Sequence, residues 1–462
     1  MNRTFTPELA PEVLDRLGAY ADRFRPDFSR ARQAVYSGLY LRGLILDGER
    51  KSIEPMSRKV SLPPGLQPVA DLDQALQQFI GQSPWDEQAV GRRYRSVMAE
   101  TFASPGGIFV IDDTSFPKQG KLSVGVQRQY CGASGKRANC QVAPSVHYVS
   151  PGGHYPLAMR LYIPESWAGD ADRLDRAGVP EENRRAATKG QIALELLDQV
   201  RAEGLPGRLV LADAGYGVSG PFRGGLAERG LHYIVGVTEE MVVFTESPSW
   251  VEPHSATGGR PRKRHKLAEG SPRPISLKEL AAKMPLRKVT WREGTKGKLS
   301  GRFAWLRVWP GGGWATGDCA GADPVWLLIE EQADGKIKYA LSNLPGRTSR
   351  IRAVRLWKSR WPVEQGYQQM KEELGLDHHE GRSWRGFHHH ACLVMMAFGF
   401  LCLEREREKR DPARPGKRGG LRPVITVPAI RRALQRLLAP ICRHDCPYCR
   451  DQNSSSTMML TE

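Results

Sequence analysis

Two uninterrupted apolar runs constrain this chain most. Gly107-Ile108-Phe109-Val110-Ile111 passes directly into Asp112-Asp113-Thr114, and Leu209-Val210-Leu211-Ala212 passes into Asp213-Ala214-Gly215-Tyr216-Gly217. A strand with one face in water alternates polar and apolar residues, whereas a run without alternation has both faces covered. Each run therefore predicts a buried central strand of an α/β sheet with a carboxylate at its end. Strand-like stretches at 123–130, 140–149 and 155–163, parted by Gly-rich turns, predict an antiparallel meander after the first run. A helix over 185–203, with Ile192, Leu194, Leu196, Leu197 and Val200 as its buried stripe, leads to the second run, and a short helix and a strand at 232–237 follow it.

Three strands, a helix, a strand, a helix and a strand is the order of an RNase H-like fold. In that fold the two acid-ended strands are neighbours, so Asp213 and either Asp113 or Asp112 are expected to converge; the step is an analogy between folds. Around this core the pattern predicts further regions. Residues 1–103 read as helical, with DNA-end binding as their expected role. Residues 104–240 are the first part of the core, 241–349 a β-rich insertion with a hairpin turn at Asp334-Gly335, and 350–382 the return of the chain to the core as a helix. Residues 383–462 read as a helical C-terminal region with a basic, disordered tail.

Charge narrows the function classes. Lys and Arg number 68 against 50 Asp and Glu, a net +18 that favours a polyanionic partner, nucleic acid before acidic membrane. The longest apolar run, 391–403, is too short to span a bilayer and ends in charge, so it predicts a buried helix. The N-terminus lacks the apolar core of a signal peptide, and the cysteines are scattered apart from one C-terminal group, which together point to a reducing cytoplasm.

The chemistry-bearing motif is Trp357-x2-Arg360-x3-Glu364-x6-Lys371. On a continuous helix Arg360, Glu364 and Lys371 project from one face. Pro362 either starts a new helix, with Glu364 in its first turn, or kinks a longer one. Taken alone, the stretch reads more readily as a solvated salt-bridge ladder. Arg92, Arg93 and Arg95 lie on a predicted helix and are candidate phosphate contacts, with a solvated basic face as the plainer alternative. Cys442, Cys446 and Cys449, with His444 among them, are residue types that bind zinc, although ligands so close together rarely complete a tetrahedron. His378-His379 and His388-His389-His390 read as structural or phosphate-facing.

The motif resembles the Tyr-x2-Arg-x3-Glu-x6-Lys signature of bacterial insertion-sequence transposases of the DDE superfamily, with Trp357 where the signature has tyrosine. Asp112-Asp113-Thr114-Ser115-Phe116-Pro117-Lys118, Asp213-Ala214-Gly215-Tyr216-Gly217, Gly375-Leu376-Asp377-His378-His379-Glu380-Gly381-Arg382 and Arg50-Lys51-Ser52-Ile53-Glu54-Pro55-Met56 look like one branch of that family. The resemblance implies catalytic metal ligands at Asp113, Asp213 and Glu364, with Asp112 as the alternative to Asp113. It further implies two Mg²⁺ ions, with Mn²⁺ as an alternative, and Arg360, Lys371 and Lys118 against the DNA backbone. The expected activity is strand cleavage at the terminal inverted repeats of its own element and joining of the 3′-hydroxyl ends to target DNA, carried out by a homodimer. A DNA-binding derivative without catalysis and another RNase H-like nuclease are the competing expectations.

Overall fold

In the computed structural model, residues 6–63, 70–253, 264–294, 297–410 and 424–443 are described. The chain opens with helices α1 (Val13–Asp22), α2 (Ala31–Ile45), α3 (Ile53–Ser57), α4 (Leu72–Gly81) and α5 (Glu87–Phe102). Strands β1 (Ile108–Pro117), β2 (Gln127–Cys131), β3 (Lys136–Ser150) and β4 (Gly153–Met159) follow, then α6 (Glu165–Ala168), α7 (Ala171–Ala177) and α8 (Lys189–Ala202). Next come β5 (Leu209–Ala212), α9 (Ala214–Gly217), α10 (Gly220–Glu228) and β6 (His232–Val237). The stretch after them holds β7 (Val242–Phe244), β8 (Trp250–Val251), β9 (Lys266–Leu267), β10 (Ile275–Ser276), α11 (Leu277–Lys283), β11 (Arg287–Gly294), β12 (Gly297–Pro310), β13 (Val325–Glu331) and β14 (Ile337–Ser342). Helices α12 (Arg350–Lys358), α13 (Trp361–Glu372), α14 (Trp384–Arg410) and α15 (Val427–Arg443) close the order.

Side-chain caps set several boundaries. Asp71 accepts from the Gln74 N–H at the head of α4, and Asp86 from the Gln88 N–H at the head of α5. At α8 the reciprocal Thr188–Gln191 capping box starts the helix at Lys189, not at 185 as periodicity suggested.

The chain folds as two compact units. One comprises 106–112 and 207–361, the other 1–105, 113–206 and 362–462. In the first unit the strand order is β10-β7-β12-β13-β14-β6-β5-β1, with β11 on β12. Here β1 and β5 pair in parallel, as do β5 and β6, and the remaining pairs are antiparallel. The architecture is thus mixed α/β with a mixed sheet. Phe109, Val110, Ile111, Val210, Leu211 and Ala212 are all 0% exposed, as two covered faces require. Removing each of the larger side chains from water contributes about 1.5–3 kcal/mol, which anchors the stretches that lead into Asp112 and Asp213.

In the other unit β3 pairs antiparallel with β2 at one end and with β4 at the other, the expected meander. Its central helix is α14, which begins at Trp384 and runs through Arg410. By length and composition it could cross a membrane, yet 94% of its apolar window is buried, packed by α2, α4, α5, α15 and β4. The charged break expected from Arg405 is therefore still helix as far as Arg410, and residues 411–423 lie outside the described residues.

Candidate active site

The first unit builds one carboxylate pair directly from strand register. β1 and β5 run in step from Ile108 opposite Leu209 to Ile111 opposite Ala212. One further step sets Asp112 beside Asp213, and in-register residues of parallel neighbours face the same side. Asp213 is still extended, with φ −83° and ψ −175°, and caps α9 by accepting the Gly215 N–H at 2.9 Å. The turn that holds it needs glycine for a steric reason: a Cβ on Gly217 would stand 1.9 Å from the Gly236 carbonyl oxygen of β6. The Asp-Ala-Gly-Tyr-Gly motif is therefore partly a packing motif that seats α9 against β6.

Arg360 joins this pair. Its Nη1 donates to Asp112 Oδ2 at 3.0 Å, with the two side chains 17% and 14% exposed. Of the two alternatives at Pro362 the structure has the new helix, because α12 ends at Lys358 and Arg360 lies in the turn before α13. Pro362 is the second residue of α13, where its missing N–H costs nothing, so it starts a helix and does not bend one. Glu364 and Lys371 share α13 at seven-residue spacing; Arg360 precedes it.

Trp357 answers a question the motif raised. Its indole N–H donates to Glu330 Oε2 at 2.9 Å, and Lys358 pairs with the other oxygen of the same buried carboxylate. Lys358 also lies 4.8 Å from the Trp291 ring centre. Trp357 thus fastens α12 to β13 and is not itself a hydroxyl donor. Glu330 went unrecognised in the sequence, although an acid closing the apolar run Val325 to Ile329 was a legible signal.

Asp113, the first choice of ligand from the motif, is placed differently. Alternation turns it to the opposite face from Asp112, and in the other unit Lys189 Nζ donates to its Oδ2 at 2.6 Å. Register therefore selects Asp112, the alternative, as the partner of Asp213. Lys189 was also missed; its capping box could have placed it in a first helical turn, but nothing local aims it at Asp113. In this same unit Glu364 is exposed in the first turn of α13, whose Tyr367 hydroxyl bonds Ser145 on β3. Lys371 Nζ donates to the Ser115 carbonyl at 2.9 Å and Lys118 Nζ to the His379 carbonyl at 2.6 Å. Burial lowers the pKa of both lysines from the ordinary value.

The arginine cluster divides. Arg92 is exposed, and Arg93 is half-buried and paired with Asp27. Arg95 is withdrawn from the phosphate contacts: it is 5% exposed, and its guanidinium forks onto Glu203 and donates to the Leu157 carbonyl. His388 and His390 are buried and hydrogen-bonded to backbone carbonyls, and burial pushes each down to about 4, so both are neutral structural rings. Cys446 and Cys449 lie outside the described residues, as does the Cys442 side chain at the end of α15. Residues 260–263 of the basic run and the tail from 444 also lie outside them.

Among the described residues no three His, Cys, Asp or Glu side chains form a ready metal-binding group. The acid expected to end β1 lies within it, because the strand continues to Pro117 and only its pairing with β5 stops at Ile111. The donor chemistry of Asp112 and Asp213 nevertheless fits a hard divalent cation, since both offer carboxylate oxygens just past that ladder. Residues 23–298 match the family described as DDE superfamily endonuclease. The probable transposase for insertion sequence element IS701 of Microchaete diplosiphon is 32% identical over 198 residues, 42% of this chain and 46% of that protein. The chain thus spans just under half the length of that relative. Endonucleases of this superfamily generally use divalent metal ions. With more than half of its length matched, and with paired aspartates where two parallel strands cease to pair, the chain belongs to the DDE superfamily endonuclease family.

Proposed function

We propose that this protein is a DNA transposase that cleaves at the ends of its own insertion sequence and joins the 3′-hydroxyl ends to target DNA. The observation that carries the reading is the register that sets Asp112 beside Asp213, with Arg360 on Asp112. The parallel β1–β5–β6 set and the β3–β4 meander support an RNase H-like core, with β7 to β14 as its insertion. The relative's name as a probable transposase supports the substrate. A homodimer acting on nucleoid DNA in the cytoplasm fits the reading.

Asp112 and Asp213 would hold the metal, two Mg²⁺ ions with Mn²⁺ as the alternative, and the signature names Glu364 as the third carboxylate. The chemistry such ions would supply is polarisation of a phosphate and a lowered pKa at an attacking hydroxyl. The chain's own residues do the rest. The Arg360 guanidinium neutralises Asp112 without DNA and turns its planar fork to a phosphate oxygen when DNA arrives. Lys371, Lys118 and Arg92 are point charges for the strand's other phosphates.

The test is Mg²⁺-dependent cleavage and joining of duplexes carrying the element's ends. Asp112→Asn, Asp213→Asn and Glu364→Gln should each lose cleavage by roughly a thousandfold or more while still binding the duplex. Asp113→Asn should keep activity within about tenfold of wild type, because it loses an ion pair and not a ligand. A larger loss in Asp113→Asn than in Asp112→Asn would reverse the choice between them. Binding without cleavage by the wild-type chain, or cutting of branched DNA only, would overturn the transposase reading.

A further inference from the structure

Helix α4 buries Leu76, Phe79 and Ile80 and turns Gln74, Gln77 and Gln78 outward, with Gln82 exposed just past its end. Positions 74, 78 and 82 fall one turn apart, so the amides form a stripe on one face. The outer face of a solvated helix need only be polar, and charged pairs are its commonest filling. This one carries amides, and its nearest acid, Asp73, is engaged by the Gln77 amide at 2.8 Å.

The stripe lines a cleft of about 1000 Å³ whose lining also holds Arg173 and Arg176 of α7 and, beyond them, Arg382. Arg173 is held in place with its guanidinium 3.6 Å from the Trp167 ring centre and a hydrogen bond to the Lys121 carbonyl. Leu122, Glu380 and Arg382 also line a second cleft of about 770 Å³ that reaches Lys118 and Gln119, in the loop that follows β1. Glu380, an acid common to both clefts, is paired with Arg50. The whole run lies within one unit.

We infer that these joined clefts seat duplex DNA and that α4 reads its sequence. An amide side chain presents a donor and an acceptor together, the pattern that matches adenine N6 and N7 in the major groove. It is a poor phosphate ligand, whereas the arginines across the lining supply positive charge for the backbone and carry no sequence information. The division of labour follows: Gln74 and Gln78 discriminate, Arg176 and Arg382 hold. This inference rests on the transposase reading and names the surface that recognises the element's end.

The test is fluorescence anisotropy of the full chain with a duplex carrying one end of the element that encodes it, against a scrambled duplex of equal length and composition. Gln74→Ala/Gln78→Ala should cut the preference for the end duplex at least tenfold and leave the salt dependence unchanged. Arg176→Ala/Arg382→Ala should weaken both duplexes by the same factor and reduce the salt slope by about two. Thermal melting of both variants at the wild-type temperature would show that the fold is kept. Unchanged discrimination in the glutamine variant would overturn the role of α4 alone. A wild-type chain without preference for the end duplex would overturn both this inference and the transposase reading.

Discussion

An ammonium group taken out of water loses its hydration, and Lys51 is only 2% exposed. Its Nζ donates to the Leu46 carbonyl just past α2, which also accepts from Arg431 Nη2 at 2.9 Å, and its backbone N–H donates to His378 Nδ1. Burial first, and then the neighbouring Arg431 and Lys59 charges, push the Lys51 pKa down to about 7. The sign follows from proton counts. Between pH 7 and the ordinary lysine range the unfolded chain is protonated at this position and the folded chain is not, so stability rises with pH across that window, by up to about 1.4 kcal/mol per unit. Lys51→Met should flatten the rise, and thermal melts of both proteins at pH 7, 8, 9 and 10 would show it; equal slopes would refute the assignment. The same residue shows what a motif leaves unsaid. Arg50-Lys51-Ser52-Ile53-Glu54-Pro55-Met56 was legible as a family string, but Lys51 and Met56 in it are buried packing residues, a role that depends on partners far along the chain.

At the scale of elements, the decisive contact is the one by which α12 is fastened to β13. Glu330 is 4% exposed and receives both the Trp357 indole and the Lys358 ammonium. Removing its charge leaves a half-buried cation and an indole donor facing a weaker acceptor, at a cost of about 2–3 kcal/mol. Glu330→Gln should therefore lower the urea midpoint and speed hydrogen exchange through residues 350–358, while Glu330→Gln/Lys358→Met should recover part of the loss. A single variant as stable as wild type, with unchanged exchange in α12, would show that the contact is dispensable. Helix starts in this region were readable: Ser349 caps α12 and Pro362 sits where a first turn tolerates it. Their separation was not, because the helical spacing of Arg360 to Glu364 is satisfied equally by one long helix and by two. The ladder from Ile108 to Ile111 was likewise readable as a buried strand, while its register with β5 was not. A one-residue change of register exchanges Asp112 for Asp113.

Over the whole molecule the net charge of +18 acts at long range. Binding that neutralises some six phosphates should lose about a thousandfold in affinity between 50 and 200 mM salt, for scrambled and end duplexes alike. Anisotropy titrations over that range would measure the slope, and a flat dependence would separate the charge from DNA binding. By itself the sequence determined the mixed α/β class, the helical run before the first strand and two buried apolar strands leading into aspartate, because hydrophobic period, turn chemistry and residue type are local properties. Only the tertiary structure decided that Asp112 and not Asp113 stands beside Asp213, that Arg95 is spent on Glu203, and that Trp357 anchors a helix through Glu330. The physical reason is common to all three. Strand register, burial and ion pairing are set by residues tens to hundreds of positions apart, and one-dimensional spacing carries no record of which of them meet.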